Sequence, residues 1–322
     1  MSRHFNRLIR FLLGGSGLAA LSGCNAVVLF PSGDIAIQQR DQIIIATVLM
    51  LLIIVPVMAL TAYFAWHYRA SNEKAEYDPD WHHSTSLELV IWSAPLLIII
   101  FLGAVTWTGT HLLDPYRPLG RTDADRTGPP SAEPLQVQVV SLDWKWLFIY
   151  PQYGIATVNE MAAPVDRPIQ FSLTSQSVMN SFFVPAIAGQ IYTMPGMQTT
   201  LHAIANAPGN FQGFSANISG IGFSSMTFRF LSTSDDDFAA WVDRVKVGGG
   251  TLDRAEYIKL EAPTAAVPVT YFGGTETGLF TAILNRCVRE GQVCIRDMMA
   301  QDSAHRHSEP AQAAAPEAPQ GN

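Results

Sequence analysis

Residues 214–226 read Phe-Ser-Ala-Asn-Ile-Ser-Gly-Ile-Gly-Phe-Ser-Ser-Met. They set hydroxyls at Ser215 and Ser219, a carboxamide at Asn217, a phenyl ring at Phe223 and a thioether at Met226. Upstream, Asn180-Ser181-Phe182 opens a second short segment that continues as Phe183-Val184-Pro185. A copper centre draws on thiolate, imidazole and thioether donors, because soft sulfur and imidazole suit that metal. A hydroxyl, a carboxamide and a phenyl ring replace neither thiolate nor imidazole, and one thioether does not hold copper alone. Taken by itself, the loop is equally a Ser/Gly-rich turn of a β-sandwich. A second kind of chemistry is open to Glu88, in Ser86-Leu87-Glu88-Leu89-Val90-Ile91-Trp92 at the start of a long apolar stretch. A charge in a membrane segment points to an ion path. A carboxylate at a span end is also a common headgroup-level anchor.

The other reactive side chains are sparse. The three cysteines are Cys24, Cys287 and Cys294, with no C-x-x-C pair and no Cys/His cluster. None of the eight histidines has zinc-site spacing with a cysteine. His111 stands alone near the end of an apolar stretch, so no segment offers the membrane-embedded histidines that a heme needs. The expectation is a chain that binds no metal or cofactor of its own.

The elements that position these residues follow from composition. Of 322 residues, 48% are hydrophobic and only 15% charged, against about a quarter charged in soluble domains. A net charge of −7 argues against a nucleic-acid partner, which calls for a basic face. The apolar residues concentrate in the first 113 positions. Arg3, Arg7 and Arg10 precede a short apolar stretch, as in a signal peptide over residues 1–23. Residues 24–41 are then the start of the mature chain. Residues 43–66 carry no charge and exceed the roughly 20 apolar residues that cross a bilayer. This predicts a first span within 42–68, with Pro56 inside it and Tyr63, Trp66, Tyr68 and Arg69 at its interfacial end. A polar loop at 69–86 leads to a second span at 87–113, and a Pro/Gly-rich linker follows at 114–133.

From residue 134 to about 232, short strand signals alternate with Gly, Pro and Asn: 135–141, 144–150, 168–174, 179–184, 199–205, 210–215 and 226–231. Strands in close series with no helix between them predict a β-sandwich. Ser234 followed by Asp235, Asp236 and Asp237 is an N-cap signature for a helix to about Val247, halted by Gly248-Gly249-Gly250. Further helices are predicted at 252–260 and 277–289, within a helical region over 233–302. The Ala/Pro/Gln/Glu-rich tail from 303 to 322 is expected to be disordered.

In this order, the segments resemble subunit II of bacterial heme–copper ubiquinol oxidases. The copper-bearing relatives carry C-x-E-x-C-G-x-x-H-x-x-M. On this chain Ser215 and Ser219 take the cysteine positions, Asn217 the glutamate and Phe223 the histidine, while Gly220 and Met226 keep the family identity. Asn180 replaces the histidine of the upstream H-S-F segment. The resemblance is to the quinol-oxidising branch that has lost the dinuclear copper centre, and it covers about residues 20–260. It includes Ser141-Leu142-Asp143-Trp144-Lys145-Trp146, Gly154 to Glu160 and the Met194-Pro195-Gly196-Met197 turn.

The resemblance implies a membrane-anchored α+β chain: a two-helix transmembrane hairpin, an all-β cupredoxin-like Greek-key sandwich and C-terminal helices. It implies a lipobox at Leu21-Ser22-Gly23-Cys24, with lipid on Cys24, against an ordinary signal peptide or a buried thiol. Cys24 and the β-domain would then lie in the periplasm and the 69–86 loop in the cytoplasm, although Arg117, Arg121 and Arg126 after span two outnumber Arg69 and Lys74 in the loop. It gives Glu88 the mouth of the K proton pathway, which continues in subunit I. Heme, active-site copper and most of the quinol site belong to subunit I, the principal partner. Trp144 to Trp146, an electron path where copper is present, would here serve packing. With that topology a disulfide between Cys287 and Cys294 is allowed, the chain turning at Gly291, and two free thiols are the alternative. The rival reading of the whole chain is a metal-free envelope lipoprotein that uses the β-domain for binding or scaffolding.

Overall fold

The computed structural model describes residues 26–76, 78–119 and 133–308. Cys24, the signal segment, most of the linker and the last part of the tail lie outside them. The chain forms two compact units. One holds the described residues up to 119 with 185–189, and the other holds the remainder from 133 onward.

The first unit is a pair of long helices, α1 (Asp34–His67) and α2 (Thr85–Leu112). Both are long and apolar enough to cross a membrane. Helix α1 starts well before the expected residue 42. Gln38, Gln39, Arg40, Asp41 and Gln42 interrupt the apolar run without interrupting the backbone, so hydropathy alone places the boundary too late. Pro56 lies inside α1, and Thr61 donates its hydroxyl to the Val57 carbonyl at 2.8 Å, one turn back. Carbonyls at the end of α1 receive Arg69 (to Trp66 O, 2.7 Å) and Asn72 (to His67 O, 2.6 Å). The Arg69 guanidinium also lies 5.1 Å above the Trp66 ring. Cations are favourable at a helix C-terminus. In α2, Thr108 and Thr110 return their hydroxyls to Ala104 O and Thr106 O. Hydroxyls that bond their own helix spare an apolar surround an unpaired donor. Apolar side chains such as Leu89, Val90, Leu97, Ile99 and Ile100 stand bare along α2.

The second unit is a sandwich of two sheets. Strands β1 (Leu135–Leu142), β2 (Lys145–Tyr150), β3 (Ile155–Val158), β5 (Ile169–Ser175), β8 (Thr199–Ala203) and β12 (Thr270–Phe272) form one, in the order β12-β3-β2-β1-β5-β8. The other has β4 (Glu160–Pro164), β6 (Asn180–Phe183), β7 (Ile191–Thr193), β9 (Gly209–Ser215) and β10 (Thr227–Thr233), in the order β4-β10-β9-β6-β7. The chain passes between sheets at β3–β4, β4–β5, β5–β6, β7–β8 and β8–β9, and returns to the first sheet between β10 and β12. Parallel pairing of β1 with β5 and of β10 with β4 is the consequence. Aromatic rings fill the space between the sheets. Trp146 and Phe148 of β2 and Phe171 of β5 meet Phe182 of β6 and Phe228 of β10, with ring centroids 5.1–6.4 Å apart. Each ring so buried contributes about 1.5–3 kcal/mol.

The expected helix at 235–247 is α3 (Asp235–Val247), capped by the Ser234 hydroxyl, which accepts from the Asp237 N–H at 3.1 Å. It buries Phe238, Trp241, Val242 and Val245, a stripe at helical spacing. The rest of the C-terminal region departs from the sequence expectation. Leu252 belongs to a short strand β11 (Thr251–Leu252), paired with β13 (Gly274–Thr275), and Asp253 caps α4 (Arg254–Leu260). Residues 270–272 add β12 to the edge of the first sheet through pairing with β3, so the sandwich does not close at residue 232. The helix expected over 277–289 is only α5 (Leu279–Leu284), because Arg286 adopts φ 54° and turns the chain out of the helix. A last helix, α6 (Ile295–Ser308), carries residues 303–308 beyond the point where composition predicted disorder. Cys287 and Cys294 are joined in a disulfide, with Cα atoms 4.8 Å apart.

Candidate functional site

The 214–226 loop links β9 to β10 and closes through a single 3-10 turn, Phe223–Ser225. Ser215 ends β9 and Asn180 begins β6, and the register Phe182↔Ser215 brings them to the same end of the sheet. Both are almost fully buried, at 3% and 1% exposure. Ser215 Oγ donates to Asn180 Oδ1 at 3.0 Å. Asn217 Nδ2 reaches Met179 O at 3.0 Å, and the Ala216 N–H reaches Ser181 O at 2.9 Å. Met226 is 1% exposed, within the core. The Ser215 hydroxyl and the Asn180 and Asn217 amides therefore bond one another or the neighbouring backbone, the Ser219 hydroxyl is buried without a partner, and the set includes neither thiolate nor imidazole. They do not fit a dinuclear copper centre. Among the described residues no cluster of His, Cys, Asp or Glu is arranged to hold a metal.

Trp144 explains how this loop keeps its shape without a metal. It sits in the β1–β2 turn at φ 131°, a conformation that side chains rarely adopt. Its indole N–H donates to Ser219 O at 3.0 Å. The ring lies flat on the loop: a Cβ added at Gly222 would fall 2.4 Å from the Trp144 ring, and one at Gly220, itself at φ 114°, would fall 3.1 Å away. The glycines permit this approach. Trp146 is fully buried among the core phenyl rings. Lys145 is buried too and donates to Ala262 O at 2.8 Å and to the Thr264 hydroxyl at 2.5 Å. Burial holds its ammonium below the usual lysine range, against the opposing pull of Asp143.

Glu88 occupies the first turn of α2. Its carboxylate Oε1 lies 2.7 Å from His83 Nδ1, and His83 Nε2 is 3.2 Å from the Thr85 hydroxyl. Both side chains are exposed, so the group is open to water. A chain from water through imidazole to carboxylate can pass a proton, since the imidazole has one donor and one acceptor nitrogen.

Comparison with known proteins gives this arrangement a family. Residues 152–232 match the family model for the cytochrome c oxidase subunit II periplasmic domain, and residues 246–291 match the COX aromatic rich motif. A cytochrome bo(3) ubiquinol oxidase subunit 2 from Pseudomonas aeruginosa is 50% identical over 271 residues, covering 84% of this chain and 79% of the relative. One from Pseudomonas putida is 50% identical over 270 residues, covering 84% and 83%. The ubiquinol oxidase subunit 2 of Acetobacter aceti is 49% identical over 273 residues, covering 84% and 86%. The chain belongs to the ubiquinol oxidase subunit 2 family. It is thus an oxidase-subunit membrane protein with a cupredoxin-like sandwich. Nothing in the fold or among the relatives supports the stand-alone scaffold lipoprotein.

The structure brings Asn180, Ser215, Asn217 and Met226 together around one end of the second sheet, while Phe223 begins the 3-10 turn and Ser219 lies beneath Trp144. Sequence reasoning missed His83. The His82-His83 pair five residues before Glu88 was the available signal. It also missed Glu160, whose side chain is 3% exposed. This carboxylate accepts from Trp241 Nε1 at 3.1 Å, Tyr271 OH at 2.5 Å and Arg229 Nη2 at 2.5 Å. It ties α3, β12 and β10 to β4. Burial, and then the bond to Glu160, push the Tyr271 hydroxyl up to about 12.

Proposed function

We propose that this chain is the non-cofactor subunit of a proton-translocating ubiquinol oxidase that reduces oxygen to water. Its α1–α2 hairpin packs against subunit I, which holds the heme groups and active-site copper that supply the oxygen chemistry. The apolar faces of both helices are suited to cover by lipid and by neighbouring helices. Lipid on Cys24 anchors the mature chain at the inner membrane, with the β-domain in the periplasm and the 69–86 loop in the cytoplasm. Electrons do not pass through the sandwich, because the residues at these positions offer no thiolate or imidazole to hold copper.

The contribution to catalysis is proton uptake at Glu88. The carrying observation is the 2.7 Å contact between Glu88 Oε1 and His83 Nδ1 at the water-exposed start of α2. His83 takes a proton from the aqueous loop and Glu88 receives it for transfer toward subunit I. The Thr85 hydroxyl, on the far ring nitrogen, holds the imidazole in place. In the purified complex, Glu88→Gln should slow proton uptake during heme reduction several-fold while the complex stays assembled. Unchanged uptake and turnover would reject the assignment. Oxygen consumption should be driven by ubiquinol and not by reduced cytochrome c; consumption driven by cytochrome c would require an electron path through the sandwich.

A further inference from the structure

A polar cavity of about 190 Å³ lies under the C-terminal disulfide loop. Its floor is Tyr257, on α4, which is completely buried yet has no hydrogen-bond partner for its hydroxyl. Gln176, just after β5, contributes a buried amide oxygen that is also unpartnered. An unpaired buried polar atom costs about 1–3 kcal/mol; the Tyr257 hydroxyl calls for an acceptor in the cavity, and the Gln176 oxygen for a donor, which a water supplies. Single bridging waters take up about 30 Å³ each, and this space holds several.

The rest of the lining is cationic on balance. Arg286 and Arg289 face the cavity with one carboxylate, Glu261, which is paired to Arg289. The Arg286 guanidinium has no ion-pair or hydrogen-bond partner among the described residues, and its backbone is held at φ 54°. Gln292 gives its amide oxygen to the Arg289 N–H at 3.0 Å, which leaves its NH2 free to donate. Burial pushes the Tyr257 hydroxyl upward in pKa, so it remains a donor across the physiological range. The Cys287–Cys294 bond closes the loop that carries Arg289 and Gln292.

We propose that this cavity binds a phosphate-type oxyanion, held by Tyr257, Arg286 and Arg289. The donors come from α4 and from the turn that leads into the disulfide loop. A tetrahedral anion accepts from several directions at once, whereas a carboxylate accepts in one plane. The phosphate is either a free ion or the phosphodiester of a lipid headgroup.

Hydrogen–deuterium exchange of residues 286–294 in the full complex tests the proposal, in detergent with chloride or inorganic phosphate at matched ionic strength. Phosphate should slow exchange there several-fold in the wild type and not in Arg286→Gln or Tyr257→Phe. The exposed Arg286→Gln variant carries the test if Tyr257→Phe does not fold. Nanodiscs of phosphatidylglycerol without free phosphate separate the sources. Slowing there, compared with phosphatidylcholine, assigns the headgroup, and slowing only with inorganic phosphate assigns the free ion. No slowing with either probe, or equal slowing in wild type and variants, overturns the site.

Discussion

Ser215 Oγ donates to Asn180 Oδ1 across 3.0 Å in the interior of the sandwich. The two side chains occupy positions that the copper-bearing pattern gives to a cysteine and a histidine. A neutral hydrogen bond joins β6 to the end of β9. Trp144 adds a second tie from above, so the loop is held by hydroxyl, amide and indole groups alone.

The Ser215–Asn180 bond should be measurable by a double-mutant cycle. Ser215→Ala leaves a buried amide oxygen short of a donor and should cost about 1–2 kcal/mol, as should Asn180→Ala in reverse. The double variant should cost less than the sum. Urea unfolding of the β-domain signal in the full chain reads this out. Strict additivity would mean the two side chains do not support each other.

His83 should matter to the same step as Glu88. His83→Ala leaves the carboxylate exposed but without its imidazole neighbour, so proton uptake should slow severalfold less than in Glu88→Gln. The double variant should be no slower than Glu88→Gln alone. A His83→Ala complex with wild-type uptake at every pH would show that water reaches Glu88 directly.

Glu160 is expected to be a stability residue. Glu160→Ala strands the Trp241 N–H and the Tyr271 hydroxyl, while the half-exposed Arg229 guanidinium turns to water. The cost should be on the order of 3 kcal/mol, for two donors left without their acceptor. Thermal denaturation and limited proteolysis near β12 are the measurements. A loss below about 0.5 kcal/mol would mean that water replaces the carboxylate without penalty.

Stability should fall in alkali. The folded protein holds the Tyr271 proton up to about 12, against the ordinary value of 10.0. Between these values the native state binds more protons than the unfolded one, so stability decreases as pH rises through the window. That contribution is fully present below 10 and lost above 12. Lys145 acts oppositely: its native ammonium is weakened by burial, so the folding penalty it imposes is relieved as pH rises toward the ordinary lysine value. Tyr271→Phe should flatten the decline measured from pH 9 to 12; an unaltered slope would assign the decline to other groups.

Much was legible in the sequence because the governing signals are local. A long uncharged apolar run spans a bilayer whatever surrounds it, and Ser234 with three aspartates caps α3 by contacts within one turn. Most of the strands flanking the polar loop, and the chemistry that loop had lost, were equally readable, since a serine cannot become a thiolate in any fold. The rest depended on partners far along the chain. Strands β3, β4 and β7 were missed because their pairing, not their pattern, defines them, and β12 becomes a strand only by pairing with β3, more than a hundred residues earlier. The early start of α1 and the helical course of residues 303–308 run against local hydropathy and composition. The contacts Ser215–Asn180, Trp144–Ser219, His83–Glu88 and the ring of donors on Glu160 depend on which ends of strands and helices the fold brings together. Residue types decided what chemistry was available to this protein; only the tertiary structure decided which groups meet, because hydrogen-bond reach is a few ångströms and chain separation carries no such scale.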